Sequence, residues 1–341
     1  MSKGKYEGVS MKVWYDALTG KQVRYSVAIA KCLRTLNHDV VLTTRKHPDT
    51  LPLADFLNEK FTVVGKYNPK SLLTRLREGT KRQLSFCKMF EHEPPNIAIS
   101  HASADQCRVA FGLGIPVILT FDTPYADATY RLTMPLSKYV VVSEAIPRRT
   151  TQKYNVSGEI VSFNGVDEVA WIKDFKPTIE YDFGKPLIVI RQLEEKAVYT
   201  KEQVDMYSLA KKLTKYGKVV FLTRYQRKSA GDIIVPKQFV DSASLVAKAD
   251  LFIGFGGTIT REAALQGTPA IIINMFPGQH VNNFLAEKGF PIFRANASDV
   301  MKSAVKVLGK KQDVKHLLDT LANPVDVMAN IVQKTAETKT A

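Results

Sequence analysis

The stretch Gly254-Phe-Gly-Gly-Thr-Ile-Thr-Arg-Glu-Ala-Ala-Leu-Gln-Gly-Thr-Pro-Ala-Ile271 decides how the chain is read. Leu251-Phe-Ile253, just before it, is an apolar run of strand character, and Thr258 onward carries helical apolar spacing. Strand, glycine turn and helix in that order form one βα step. At the carboxyl end of such a strand, glycines let the backbone approach a ligand closely, and the first N–H groups of the helix point at whatever lies there. That geometry, with the helix dipole, favours an anion. Thr258 and Thr260 add hydroxyl donors, and Glu262, one turn inside the helix, is placed to accept hydrogen bonds from a ribose. The residues alone leave a second reading open: a tight corner without a ligand, whose Glu merely complements the dipole. The spacing is neither GxGxxG nor GxxxxGK[ST], so a dinucleotide fingerprint and a P-loop are excluded.

Outward from this turn, strands and helices alternate in two series. The first places strands at 12–15, 39–43, 61–65, 96–100, 116–121 and 139–143, with helices at 20–36, 70–91, 104–113 and 126–136. The second places strands at 187–191, 218–223, 232–235, 250–253 and 269–274. Its helices fall at 201–216, 242–248, 258–266, 280–288 and 297–308. Alternation of this kind implies parallel sheets covered on both faces. Residues 154–186, rich in Gly, Asn, Asp and Pro, read as the connection between two domains, 1–178 and 179–341. A helix near 323–337 has no strand to follow and is expected to return to the first domain.

The length of 341 residues suits two domains. Lys and Arg number 48 against 33 Asp and Glu, giving a formal charge of +15 that favours anionic partners. No apolar run is long enough for a signal peptide or a membrane span, so a cytoplasmic protein is expected, with Met1 to Ser10 as a loose tail. Cys32, Cys87 and Cys107 are widely separated and lack zinc-site spacing, which predicts buried free thiols and no metal centre.

Gly256-Gly-Thr-Ile-Thr-Arg-Glu-Ala263, followed by Gly267-x-Pro269, resembles the donor motif of the GT-B superfamily. The relatives that share it are the non-hydrolysing UDP-GlcNAc 2-epimerases and the transferase that adds GlcNAc to lipid-linked muramyl peptide. The segments Trp14-Tyr-Asp-Ala-Leu-Thr-Gly-Lys-Gln22 and 109–147 are also similar to a mostly archaeal family of uncharacterised proteins related to those epimerases. The resemblance implies two Rossmann-like α/β domains with parallel sheets facing a central cleft. It implies a nucleotide-sugar donor, a UDP-sugar first, with Gly256, Gly257 and Thr258 on the diphosphate and Glu262 on the ribose. Residues 277–290, including His280, correspond to a segment that contacts sugar or diphosphate. No cofactor beyond the sugar nucleotide is implied.

The reaction is less determined. Where the epimerases carry HxEAGxR this chain has Thr120-Phe-Asp122-Thr-Pro124, and in place of paired glutamates before NR it has Asp127-Ala-Thr-Tyr-Arg131. In place of their His-Arg-Arg-Glu it has Arg191-Gln-Leu-Glu194, so the expected His is gone. A glycosyltransferase needs only a diphosphate site and one base. Arg191, at a strand end, suits the diphosphate. His101 and Asp122, just beyond first-domain strands, are the candidate bases, and Thr19, Gly20 and Lys21 form a loop suited to ligand contact. Epimerisation or hydrolysis of the same donor, and non-enzymatic binding of nucleotide or nucleic acid, are the alternatives; no nucleic-acid motif supports the last.

Residues 66–88 concentrate Lys66, Lys70, Arg75, Arg77, Lys81, Arg82 and Lys88 around a helix whose apolar positions include Leu73, Leu76, Leu84 and Cys87. Such helices ordinarily bury the apolar stripe and solvate the rest. A sharper expectation is that the basic face meets anionic lipid or a lipid-linked acceptor.

Overall fold

The protein is described by a computed structural model covering residues 9–192, 205–223, 229, 231–275 and 278–338. The chain divides into two compact units, Met1–Trp171 with Ala322–Ala341, and Ile172–Leu321.

In the first unit, β1 (Lys12–Ala17), β2 (Asp39–Lys46), β3 (Thr62–Lys66), β4 (Ile97–Ser100), β5 (Val117–Phe121), β6 (Tyr139–Ser143) and β7 (Glu159–Phe163) form one parallel sheet, ordered β3-β2-β1-β4-β5-β6-β7. Val13, Tyr15 and Ala17 enter one buried cluster, while Trp14 points to the opposite face and packs its ring 4.8 Å from Phe86. Both faces are therefore covered, as parallel sheets require. The helix Pro324–Thr338 contributes Val325, Met328 and Val332 to the cluster on the Val13 side.

The second unit repeats the plan with β8 (Leu187–Arg191), β9 (Lys218–Leu222), β10 (Ile233–Ile234), β11 (Leu251–Gly254), β12 (Ala270–Ile273) and β13 (Ile292–Ala295), ordered β10-β9-β8-β11-β12-β13. Alternation is visible along single strands. Ile188 and Ile190 lie in one cluster, Leu187 and Val189 in the other.

Several expectations need correction. β7 and β13 lie where no strand is expected, and β7 falls inside the presumed connection 154–186. β7 extends the sheet at its edge, and an edge strand with one neighbour shows exposed positions, Glu159 and Ile160, that hide its apolar run. The helix expected over 126–136 is instead a short helix at Asp127–Tyr130 and a 3₁₀ turn at Met134–Leu136, interrupted before Pro135. The thiols differ too: Cys107 is buried, and burial pushes it up to about 12, whereas Cys32 is half-buried and Cys87 exposed.

The largest departure concerns the basic segment. The helix Leu72–Met89 does not bury Leu73, Leu76, Leu84 and Cys87 but exposes them. Its buried face is made by Arg82 and Phe86. Arg82, which the sequence groups with the solvated cations, donates to both carboxylate oxygens of Asp16 at 2.8 and 2.9 Å, to Asp105 at 2.8 Å and to the Val64 carbonyl at 2.8 Å. Ser103 and Thr43 hydroxyls complete the shell of Asp16. The parts of the expected 201–216 helix before residue 205, together with Leu193, Glu194 and Pro277, lie outside the described residues.

Candidate functional site

In each sheet the strand order reverses beside the first strand, between β1 and β4 and between β8 and β11. Loops leaving the carboxyl ends of strands at such a point diverge to opposite faces and open a crevice, the usual ligand position in α/β sheets. Both sets of candidate residues fall there.

In the first unit, Lys21 follows β1 on the helix Gly20–Thr35, His101 follows β4, and Asp122 follows β5. Asp167 and Glu168 arrive from the loop after β7. Lys21 Nζ lies 2.6 Å from Asp122 Oδ2, 2.8 Å from Asp167 Oδ2 and 3.5 Å from Glu168 Oε1. His101 Nε2 is 3.6 Å from Asp122 and its Nδ1 3.9 Å from Asp167, with Nδ1 also 2.7 Å from the Thr120 hydroxyl. Gln22 fixes the base of the loop by donating to the His101 carbonyl and accepting from the Leu18 N–H. One lysine thus balances a group of carboxylates next to an imidazole. The Asp167 and Glu168 side chains are 4% and 0% exposed, against 23% for Asp122, so Asp122 is the carboxylate most open to a substrate.

The surroundings are strained and largely buried. Ala102, beside His101, has φ +56, a left-handed conformation that a non-glycine residue adopts at a cost and that recurs at functional sites. Burial, and then the charge of Asp167, hold the Tyr25 phenol well above its ordinary range, and its ring lies 6.0 Å from that of His101. His101, Asp122 and Asp167 are also near enough to share a metal ion, their ligand atoms all within 4.8 Å. Lys21 Nζ already touches both carboxylates, so a cation there would compete with the lysine.

Of the loop residues, Thr19 serves as the helix cap, accepting from the Gln22 N–H at 3.4 Å, and Gly20 sits at the first helical turn. Asp167 and Glu168 escaped sequence reasoning altogether, because Asn164-Gly-Val-Asp-Glu168 looked like linker. The available signal was two adjacent acids following a short β-branched run.

In the second unit the turn is built from backbone. Gly256 has φ +91, and a Cβ there would collide with Gln279 Oε1 and lie 2.8 Å from Asn282 Nδ2. Gln279 donates to the Phe255 carbonyl at 3.1 Å and Asn282 to the Gly256 carbonyl at 2.8 Å. These bonds, with Arg261 Nη1 3.5 Å from the Gly256 carbonyl, occupy the carbonyls of the turn. Gly257 is the N-cap of the helix Thr258–Leu265 and has no side chain to cap it, and among the described residues a Cβ at Gly257 meets nothing within 4 Å. Arg191 ends β8, half-buried, with its Cβ 3.8 Å from the position a Gly254 Cβ would take. His280 opens the helix His280–Glu287 and is half-buried.

Two residues expected at the ligand lie deeper than the sequence suggests. Thr260 is 1% exposed, and Glu262 is 0% exposed with its Oε2 accepting from the Ser242 hydroxyl at 2.6 Å. Every residue of this helix from Thr260 to Leu265 is buried, and Glu262 meets the neighbouring helix Ser242–Lys248 through Ser242.

A family model described as "Protein of unknown function (DUF354)" matches residues 11–337. The chain belongs to that family. This DUF354 protein is 27% identical over 339 residues to the uncharacterized protein MJ0665 of Methanocaldococcus jannaschii, covering 94% of this chain and 97% of that one. Its structure is similar to UDP-GlcNAc 2-epimerase from Methanocaldococcus jannaschii, with TM-score 0.69, 14% identity, 95% of this chain and 100% of that one covered. It is also similar to the glycosyltransferase SnogD from Streptomyces nogalater, with TM-score 0.61, 15% identity and coverages of 96% and 100%. At such identities the likeness establishes the fold, which is GT-B: α/β, with two parallel sheets in two domains. Among the described residues of the DUF354 chain, no helix is long and apolar enough to cross a membrane.

Proposed function

We propose that this DUF354 protein acts on a nucleotide-diphosphate sugar, a UDP-sugar first, and transfers the sugar to an acceptor hydroxyl. The observation that carries the reading is the turn at Gly256 and Gly257. Its carbonyls accept from Gln279 and Asn282, its N-cap Gly257 carries no capping side chain, and among the described residues nothing stands within 4 Å of a Cβ built at Gly257. A helix start of that form supplies N–H donors and positive potential to a diphosphate.

In this reading Gly256, Gly257 and Thr258 hold the diphosphate, with Arg191 and His280 beside it. Glu262 takes the ribose once a ribose hydroxyl replaces Ser242 as its donor. Asp122 is the base we assign: it takes the acceptor's proton as the acceptor oxygen bonds to the anomeric carbon, and the nucleoside diphosphate leaves with the electron pair of the broken bond. Lys21 holds Asp122 and Asp167 through its two ion pairs, and Thr120 orients His101. Thr19 and Gly20 contribute by fixing the helix that carries Lys21.

One observation favours a second reading. Asp122, Asp167, Glu168 and His101 together exceed what sugar transfer requires, and elimination and re-addition at the sugar needs both an acid and a base. Epimerisation or hydrolysis of the same donor fits that surplus.

Thermal unfolding with a series of nucleoside diphosphates and their sugars tests the common part. A ligand at a hundred times its Kd adds about 2.7 kcal/mol to the folded state and raises Tm. Gly257→Val, which fills the open space, is expected to abolish the rise while leaving Tm without ligand near that of the parent. A series in which no nucleotide raises Tm, while arbitrary oligonucleotides bind in a salt-dependent way, would sink the reading in favour of a nucleic-acid binder. NMR of a UDP-sugar hit then separates new epimer from released UDP.

A further inference from the structure

The outward face of the helix Leu72–Met89 has no role in the candidate site of either unit. Leu72, Leu73, Leu76 and Leu84 are 81%, 63%, 68% and 60% exposed. With about 100° of rotation per residue, they fall within roughly a third of the helix circumference. Arg77, Lys81 and Lys88 follow along one border of that arc, all exposed. Between residues 61 and 90 the single acidic residue is Glu78, which lies 3.7 Å from Lys81 with its side chain 13% exposed. The face is therefore apolar at its centre and cationic at its edge.

The leucines cannot turn inward. Arg82 is locked by Asp16 and Asp105, Phe86 packs on Trp14, and a side chain at Gly79 would stand 2.9 Å from Asp105. The capping box at Ser71 and Thr74 sets the start of the helix just before the leucines. Burying four leucines elsewhere would mean withdrawing Arg82 from Asp16. Four large side chains held in water on one face mark a surface that meets something apolar.

We propose that this face docks on an anionic lipid surface, the leucines entering the boundary between headgroups and acyl chains while Arg77, Lys81 and Lys88 meet lipid phosphates. Charge selects this occupant. A second copy seated on the same face about a two-fold axis would set Arg77, Lys81 and Lys88 against their own counterparts. The proposal is independent of the nucleotide-sugar reading, since none of these residues belongs to it.

Cosedimentation of the full chain with vesicles tests it. Binding is expected to vesicles of phosphatidylcholine mixed with phosphatidylglycerol and not to phosphatidylcholine alone. The combined substitutions Leu72→Gln, Leu73→Gln, Leu76→Gln and Leu84→Gln are expected to lower the bound fraction at least about tenfold with Tm unchanged, because exposed positions contribute little to stability. The set Arg77→Glu, Lys81→Glu and Lys88→Glu should do the same. Equal recovery in the supernatant with both vesicle types overturns the proposal. So does undiminished binding by the leucine variant, which would reveal general attraction to the +15 charge. Sedimentation velocity showing a dimer that the leucine substitutions dissolve also overturns it, making the face an interface between copies.

Discussion

The two units share a strand order and use it in opposite ways. Where β1 and β4 part, the first unit gathers side chains: Lys21, His101, Asp122, Asp167 and Glu168, drawn from four loops. Where β8 and β11 part, the second unit offers mainly backbone, a glycine turn whose carbonyls accept from Gln279 and Asn282 and whose helix begins at a glycine N-cap. Backbone N–H groups supply a fixed field suited to binding an anion, but they do not titrate near neutral pH and cannot serve as acid or base. Carboxylates and imidazole can. Under the proposed function the same topology serves binding in one unit and chemistry in the other, separated by what the loops carry.

The contrast can be broken at its strongest point first. Arg82→Ala leaves Asp16 buried and uncompensated, and is expected to destabilise the protein by about 3–5 kcal/mol in urea denaturation. Arg75→Ala, on an exposed position of the same helix, should stay within about 0.5 kcal/mol. A small loss from Arg82→Ala would show that the first unit does not depend on its buried ion pair.

Asp122→Asn is expected to lower turnover of the sugar nucleotide about a hundredfold or more, the usual size of a general-base contribution, while the nucleotide-induced rise in Tm persists. Loss of both together would contradict the division between a chemical and a binding half. Gly256→Ala, at φ +91 and against Gln279 and Asn282, should cost about 1–3 kcal/mol in stability. Gly257→Ala, at φ −80 and in open space, should change stability by less than about 0.5 kcal/mol. Similar costs for both would show that the two glycines have the same purpose.

The smallest effect concerns alkaline pH. Burial, then the charge of Asp167, raise the Tyr25 phenol well above 10, its unfolded value. The unfolded chain therefore releases this proton first. The contribution of Tyr25 to stability is complete below pH 10 and is lost as pH rises from there toward the folded pKa, with a slope of about 1.4 kcal/mol per pH unit. Tyr25→Phe should flatten the decline measured by denaturation between pH 10 and higher values. An unchanged slope would assign the alkaline loss to other groups.

The legibility of the two sites follows from how they are assembled. The glycine turn was readable because strand, turn and helix are adjacent in sequence, and its chemistry is local backbone geometry. Lys21, His101 and Asp122 were readable one by one as residues beyond strand ends, but nothing in the sequence joined them, since Lys21 and Asp167 are separated by 146 positions. Asp167 and Glu168 were invisible because β7, the edge strand that delivers them, exposes Glu159, Ile160 and Ser162 and lies in a Gly- and Asn-rich stretch that reads as a linker. The basic helix misled for a related reason. Periodicity shows that a helix has an apolar stripe but not which stripe meets the sheet, and here Arg82 settles that through Asp16.

The sequence by itself determined the two βα series, the anion-ready turn at Gly254–Gly257 and the positive charge of the chain. These depend on neighbouring residues and on composition. Tertiary structure alone decided that Lys21 binds three carboxylates, that Glu262 is held by Ser242 in the interior, and that four leucines face outward. Each is a choice between partners far apart in the chain, fixed by which buried charges must be compensated.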